Sequence, residues 1–177
     1  MFYYLAVGLI TIWLTVLGWY DCYYRRLPNY LTLGGAVAFL IMRWALGGTV
    51  GIVNSLIGGL IGGAFLLLPF LMRGAGAGDV KMFFAVGCLA GTPLIFLIMI
   101  VSTIFGLILG TVMIIKGRLD SSRLKHLLKC CCCINYDRVE GRKNLPPKTK
   151  EAVRIPFGVA IAAGTWGVML LHAIARG

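Results

Sequence analysis

Charged residues are scarce in this sequence, and acidic residues are the scarcest of them. Charged side chains make up 13% of the 177 residues, and only 6 residues are aspartate or glutamate. Soluble domains carry about 25% charged residues. Together with 59% hydrophobic residues and 24 glycines, this composition excludes an ordinary soluble domain and indicates an integral membrane protein.

Histidine is also rare, which limits the sites that the 6 cysteines could build. Four cysteines are consecutive, at 130–133, whereas zinc ligands are usually two to four residues apart and come from two strands or loops. Disulfides are not expected in a reducing cytosol. We interpret the run as acylated or inert interfacial thiols, and we expect neither a metal nor a cofactor.

Six apolar runs are present, and turn signals such as RRLPN, GGT and GTP separate several of them, while KGR ends the fifth. Apolar segments of roughly 17 to 25 residues can cross a bilayer as helices. We therefore predict an all-α polytopic membrane protein: one membrane-embedded domain over residues 1–177, with a long basic cytoplasmic loop at about 116–155. The N-terminus lacks the basic region and cleavage site of a signal peptide. The six predicted transmembrane helices are residues 2–20, 29–46, 49–72, 80–90, 93–115 and 156–174.

The basic residues predict the orientation of these helices, because cytoplasmic loops keep an excess of Lys and Arg. With the N-terminus outside, the inside loops are residues 21–28, 73–79 and 116–155. These loops and their flanks contain all 17 basic residues except Arg43 and Arg176. Both termini are therefore predicted to be periplasmic. The net charge of +11 then anchors loops to anionic lipid headgroups, and we expect no nucleic-acid partner.

Two acidic residues lie at predicted helix ends rather than in the basic loop. Asp21 ends the first predicted helix and Asp79 begins the fourth, so the predicted topology places both on the cytoplasmic side. Acids at such positions are costly, and a functional role is the default hypothesis. Structural interpretations exist for each: Asp21 could pair with Arg25, and Asp79 could be the N-cap of its helix. The presence of two such acids on the same face of the membrane favours a functional role over these structural interpretations.

Small residues recur at four-residue intervals in two of the predicted helices. This spacing lets helix backbones approach closely, so we predict that these residues pack against neighbouring helices, although a lateral substrate groove could also use them. They are Gly58, Gly59, Gly62 and Gly63 in the third helix, and Ser102, Gly106 and Gly110 in the fifth.

Three motifs carry a resemblance to a known family. GAGD at 76–79, followed by Val80 and Lys81, resembles the GxGDxK signature of bacterial type IV prepilin peptidases, a group of GxGD intramembrane aspartic proteases. WYDCYYRRLPN at 19–29 resembles the family's first aspartate, which is followed by Arg, an aliphatic residue, Pro and Asn. RIPFG at 154–158 resembles the family's Pro-Phe-Gly stretch. The resemblance spans nearly the whole chain in the expected order.

The resemblance implies an endopeptidase that removes the short basic leader from prepilin or pseudopilin precursors at the cytoplasmic boundary of the bacterial inner membrane. Larger members carry a cytoplasmic domain between the first two helices, with paired CxxC motifs that bind zinc and an associated N-methylation activity. Here only residues 21–28 separate these helices, and they contain no CxxC pair. The chain therefore resembles the short, peptidase-only branch that serves Flp-type or tight-adherence pili.

Two nearby carboxylates supply the acid–base chemistry that aspartyl proteolysis needs. They cannot both ionise cheaply, so the charged one acts as general base and the neutral one as general acid. Asp21 and Asp79 are the predicted catalytic residues, which hold a water and direct it at the scissile carbonyl. The dipole at the start of a helix favours ionised Asp79, and we assign it the base role.

Six further residues are candidates for substrate binding or for supporting this pair. The glycines let the loop adopt positive φ and let a substrate backbone approach, or they form an ordinary flexible turn. The lysine stabilises a carboxylate, contacts substrate, or simply snorkels at the interface. The remaining three shape the entrance to the second helix, although Arg26 is better explained by topology than by catalysis. The six are Gly76, Gly78, Lys81, Arg26, Pro28 and Asn29.

Two other classes of protein could use the same features. A small transporter or channel could bind a cation or relay protons with Asp21 and Asp79, but transporter sites tend to lie near the midplane on broken helices. A non-catalytic scaffold for pilus assembly would not need both acids.

Residues 118–129 alternate leucines and basic residues at helical spacing, which predicts an amphipathic helix on the inner membrane surface. Membrane lipid is its simplest partner, and pilus assembly machinery is the alternative.

Overall fold

A computed structural model of the chain describes residues 2–24, 27–71, 75–116 and 157–174. These residues form four α-helices and no β-strand, which confirms the predicted all-α class for the described part of the chain. The helices are α1 (Phe2–Tyr24), α2 (Asn29–Leu71), α3 (Ala77–Ile115) and α4 (Phe157–Ile174). Several features named above lie outside the described residues: Arg25 and Arg26, the basic loop beyond Lys116 with its segment 118–129 and the cysteines at 130–133, residues 154–156 of the RIPFG motif, and Arg176.

The chain divides into two compact units. The first consists of residues 1–107 and 156–177. The second, residues 108–155, is described only over residues 108–116, where α3 ends. Both predicted catalytic aspartates belong to the first unit.

One glycine interrupts the helical backbone of each long helix. Gly48 in α2 has φ 56° and ψ −145°, and Gly91 in α3 has φ 72° and ψ −178°. A positive φ strains residues that carry a Cβ, so glycine suits both positions. Both fall where the sequence predicts turns, but one glycine redirects the chain without a loop and the helix resumes at once. The described residues thus form four helices, and six separate transmembrane helices are not confirmed.

Two of the four helices are long and apolar enough to cross a membrane. They are α2 and the Ala77–Met113 part of α3. Large apolar side chains on their surfaces are exposed, among them Leu46, Leu68 and Leu107. Lipid tails are as apolar as leucine, so this surface is suited to lipid contact rather than to water.

Two helix ends differ from their predicted positions. α1 continues to Tyr24 instead of ending at residue 20. Aromatic pairs at i,i+4 spacing pack along its last turns and stabilise them: the rings of Trp19 and Tyr23 stack 4.6 Å apart, and those of Tyr20 and Tyr24 lie 5.3 Å apart. α3 begins at Ala77 rather than at residue 80, because an acidic side chain in its first turn caps it.

Glycines let the second half of α2, residues 49–71, lie directly against the first half of α3, residues 77–90. A Cβ on Gly58 would lie 2.6 Å from the Gly87 carbonyl oxygen, and a Cβ on Gly87 would lie 2.8 Å from the Gly59 Cα. No side chain fits in so little space, so the two backbones are in contact. The predicted packing role of these α2 glycines is confirmed.

Small residues also mark the contact between α3 and α4. A Cβ on Gly106 would lie 2.6 Å from Cε2 of the Phe157 ring, and a Cβ on Gly164 would lie 2.8 Å from the Ser102 Cα. The packing role predicted for Ser102 and Gly106 is therefore confirmed as well.

An arginine of α2 satisfies carbonyl groups that the interruption of α3 leaves without helical partners. Pro93 has no N–H, so the Leu89 carbonyl cannot make its usual intrahelical hydrogen bond. Arg43 donates to that carbonyl from Nε at 3.3 Å and from Nη2 at 2.7 Å, and Nη2 also donates to the Ala90 carbonyl at 3.0 Å. The guanidinium thereby caps the C-terminal end of the first half of α3.

Two neighbouring side chains of α2 complete this arrangement. The Ser55 hydroxyl donates to the Cys88 carbonyl. The Asn54 side-chain oxygen accepts the Thr92 backbone N–H at 3.1 Å, and it also accepts the Thr92 hydroxyl. Backbone groups on both sides of Gly91 therefore have partners on α2.

Replacing Arg43 by alanine is expected to destabilise the protein by about 2–3 kcal/mol, because it removes charge-assisted hydrogen bonds to two partly buried carbonyls. The thermal midpoint of the purified protein in detergent measures this effect. Arg43→Lys should recover only part of the loss, because an ammonium lacks the planar fork that serves both carbonyls. Arg176→Ala is the control. An Arg43→Ala variant that melts with the wild type would contradict the assignment.

Candidate active site

Asp21 is held at the start of α4. It lies in the last turn of α1, is only 6% exposed, and its Oδ2 accepts the Val159 backbone N–H at 3.2 Å. α1 and α4 pack against each other, so the carboxylate lies at the N-terminus of a neighbouring helix. The first N–H groups of a helix carry partial positive charge and have no intrahelical partner. The Val159 N–H is one of these groups, and Asp21 supplies its acceptor.

Asp79 occupies the first turn of α3 and is 8% exposed. Its Oδ2 accepts the Gly76 N–H at 2.9 Å, and its own N–H donates to the Gly76 carbonyl at 3.1 Å. The Asp79 side chain thus reaches back to the N–H of the residue three positions before it, as the acid of a capping box does, while the Gly76 backbone carbonyl accepts the N–H groups of Asp79 and Val80. The N-cap is therefore Gly76, and the interpretation of Asp79 as the N-cap is wrong.

The segment between α1 and α2 contacts the turn that carries Asp79. A Cβ on Gly78 would lie 3.0 Å from the Leu27 Cβ, so glycine is needed for this close approach. Lys81 Nζ donates to the Asn29 Oδ1 at 2.9 Å. The turn that carries Asp79 thus contacts Leu27 and Asn29, which lie between α1 and α2 and at the start of α2.

An open groove adjoins the two aspartate-bearing segments. Its volume is about 420 Å³, and it is lined by Tyr20, Tyr24, Leu27, Pro28 and Asn29. The Pro28 carbonyl accepts the N–H groups of the first turn of α2, which fixes one wall. Neither aspartate is among these lining residues. The groove is open and mainly apolar, and it lies between the end of α1 and the start of α2, so it is a candidate site for an extended peptide.

The structure brings the start of α3 against the start of α2, through the hydrogen bond from Lys81 to Asn29, while Asp21 contacts the start of α4. Asp21 belongs to α1, while Asp79 and its neighbours Gly76, Gly78 and Lys81 form the start of α3. Pro28 and Asn29 lie beside them at the start of α2, and Arg26 is outside the described residues.

Sequence reasoning missed the residues that hold these groups in place. Gly158 and Val159 contact Asp21, and Leu27 contacts Gly78. The Pro-Phe-Gly stretch draws attention to Gly158 and the adjacent Val159. Its position in the chain does not reveal which side chain these residues contact.

The helix-dipole argument for Asp79 as the general base applies to Asp21 as well. A helix N-terminus favours a negative charge, and this argument supported Asp79 as the base. Asp21 also lies at a helix N-terminus, where it accepts the Val159 N–H. The helix dipole therefore no longer distinguishes the two acids.

Comparison with known proteins identifies the family. The model of the type IV leader peptidase family matches residues 8–111, which is more than half of the chain and includes both aspartates. The match ends before α4. Neither the curated proteins nor the solved structures include a significant match. The protein is a membrane peptidase by this relationship, and the chain belongs to the type IV leader peptidase family.

Proposed function

We propose that the protein is an aspartic endopeptidase that cleaves the short basic leader from prepilin or pseudopilin precursors, with Asp21 and Asp79 as its catalytic pair. One observation carries the proposal. The two aspartates are the only acidic residues in the described part of the chain, and both are buried. Each accepts a backbone N–H at the start of a helix, and Leu27, which follows α1, lies against Gly78 in the turn that carries Asp79.

In the proposed reaction the pair shares one proton and holds a water. The ionised carboxylate takes a proton from the water as its oxygen bonds to the scissile carbonyl carbon, and the neutral carboxylic acid protonates the carbonyl oxygen. The tetrahedral intermediate then collapses, the C–N bond breaks, and the amine leaves with a proton from the pair. The two apparent pKa values of such a reaction belong to the pair rather than to either residue.

The proposed location is the cytoplasmic boundary of the bacterial inner membrane, with both termini periplasmic. Exposed aromatic side chains support an interfacial position, because Trp and Tyr are enriched where a membrane meets water. Trp19, Tyr23 and Tyr30 are exposed and lie near Asp21 in the chain or at the start of α2. A precursor with an apolar helix after its cut site would present its scissile bond at this level. Membrane lipid and pilus assembly machinery are further proposed partners.

A proton- or cation-coupled transporter using the same aspartates is the second candidate. The interrupted helix α3 is the feature that favours it, because interrupted helices build transporter ion sites from freed carbonyls. Here Arg43 donates to the Leu89 and Ala90 carbonyls, so a cationic side chain already occupies this position. Asp79 lies at the opposite end of that half of α3. These observations favour the peptidase.

Purified protein in lipid vesicles would separate the two functions. We expect a prepilin precursor to be converted to a product with a new N-terminus, identified by mass spectrometry, and no proton flux with the same vesicles. Absence of cleavage, together with flux that depends on Asp21 and Asp79, would replace the peptidase by the transporter.

A further inference from the structure

The start of α4 encloses the Asp21 carboxylate. The three atoms nearest to a Cβ built on Gly158 all belong to Asp21: Oδ2 at 2.7 Å, Cγ at 2.9 Å and Cβ at 3.1 Å. Non-bonded contacts of Cβ atoms are longer than the first two of these distances, since carbon atoms pack at about 3.5–4.0 Å. Any side chain at position 158 would have to displace the carboxylate or the helix.

The same turn of α4 also supplies a hydrogen bond to this carboxylate. The Val159 N–H, one residue after Gly158, donates to Asp21 Oδ2 at 3.2 Å. This N–H lies in the first turn of α4, where backbone donors lack intrahelical acceptors. The bond therefore costs the helix nothing, and it fixes one oxygen of a buried acid across 138 residues of sequence.

The close approach is confined to the level of Asp21. Further along the same pair of helices, a Cβ on Gly18 would lie 3.8 Å from the Ala162 Cβ, which is an ordinary van der Waals distance. The α1–α4 interface therefore does not require glycine in general. It requires glycine at Gly158, where the helix backbone meets a carboxylate.

We propose that Gly158 is a positioning residue for Asp21, and that its missing side chain lets the N-terminus of α4 fix the orientation of the carboxylate. The proposal rests on the proposed function, in which Asp21 acts on the water or the substrate. Catalytic groups must be held within about 0.5 Å of their productive geometry. A displacement of about 1 Å can cost about 10²-fold in rate. A Cβ 2.7 Å from the Asp21 Oδ2 requires a displacement of this order to reach an ordinary contact distance.

Comparing Gly158→Ala with Gly18→Ala tests the proposal, because both add one methyl group to the same helix interface. We expect Gly158→Ala to lower kcat for precursor cleavage by about 10²-fold, with KM and thermal midpoint close to those of Gly18→Ala. Gly164→Ala adds a purely structural control, since its Cβ would lie 2.8 Å from the Ser102 Cα, away from Asp21. It should lower the thermal midpoint while kcat per folded molecule is retained.

Infrared spectroscopy provides a second measurement that does not depend on turnover. The difference between wild type and Asp21→Asn identifies the carboxyl band of Asp21, and this band should shift in Gly158→Ala but not in Gly18→Ala. Val159→Pro should produce a shift of its own by removing the N–H donor, and proline is tolerated in the first turn of a helix. It keeps the test available if Gly158→Ala fails to fold.

The outcomes separate this proposal from the proposed function. An unshifted Asp21 band, or a kcat equal to that of Gly18→Ala in a protein whose wild type cleaves, overturns the positioning role alone. A wild type that cleaves no precursor overturns the proposed function, and the catalytic positioning with it, even where the band shifts.

Discussion

Replacing either Asp21 or Asp79 by asparagine is expected to lower the rate of precursor cleavage by about 10³-fold or more. Asparagine nearly matches aspartate in shape and keeps a side-chain oxygen that can accept the Val159 or Gly76 N–H. It cannot carry the negative charge or exchange the proton. Both variants should therefore fold and bind precursor while losing the chemical step. The measurement is kcat, with the thermal midpoint as a check on folding.

Two further variants complete this experiment: a control in which an acid outside the pair is replaced, and a double variant. Asp120→Asn removes one negative charge from the basic segment and should cleave at the wild-type rate. The double variant Asp21→Asn with Asp79→Asn should be little slower than either single variant, because residues that act as one unit have strongly non-additive effects. Retention of the wild-type rate by either single variant would show that the two aspartates are not the catalytic pair.

The sequence predicts the position of Asp79 better than it predicts its local structure. The low charge content makes a buried acid conspicuous, and the glycines before it indicate a turn. Whether an acid near a helix start is the N-cap or lies three residues inside depends on the exact helix boundary, which a residue pattern defines only to within a few positions. The hydrogen bonds with Gly76 decide it.

The sequence alone does not predict which distant segments of the chain contact each other. Spacing predicts that the glycines of α2 form a packing face, but it does not identify Gly87 as the residue they meet. The contact of Asp21 with Gly158 and Val159 joins two ends of the chain, and nothing in a local pattern of residues specifies such a pairing. The two positive-φ glycines show a related limit, since a turn signal does not reveal whether a loop follows or the helix resumes.

Replacing Gly87 by alanine should produce a large loss of stability for a change of one methyl group. A Cβ there would lie 2.7 Å from the Gly58 carbonyl carbon and 2.8 Å from the Gly59 Cα, and these are backbone atoms that cannot move aside like a flexible side chain. Overpacking of a tight interface costs about 1–3 kcal/mol, and we expect the upper end. The thermal midpoint in detergent should fall clearly below that of the wild type.

Gly34→Ala is the matched control for this change, because it adds the same methyl group to a glycine of α2 with no atom within 4 Å of the new Cβ. Alanine in an open helical position is favoured over glycine by about 0.5–1 kcal/mol, so Gly34→Ala should melt at or above the wild-type temperature. Gly87→Ala should also reduce cleavage, because the half of α3 that it displaces begins with the turn that contains Asp79. Equal thermal midpoints for the two variants would show that the backbones of α2 and α3 are not in direct contact. The expectation that this contact helps to position the turn containing Asp79 would then be wrong.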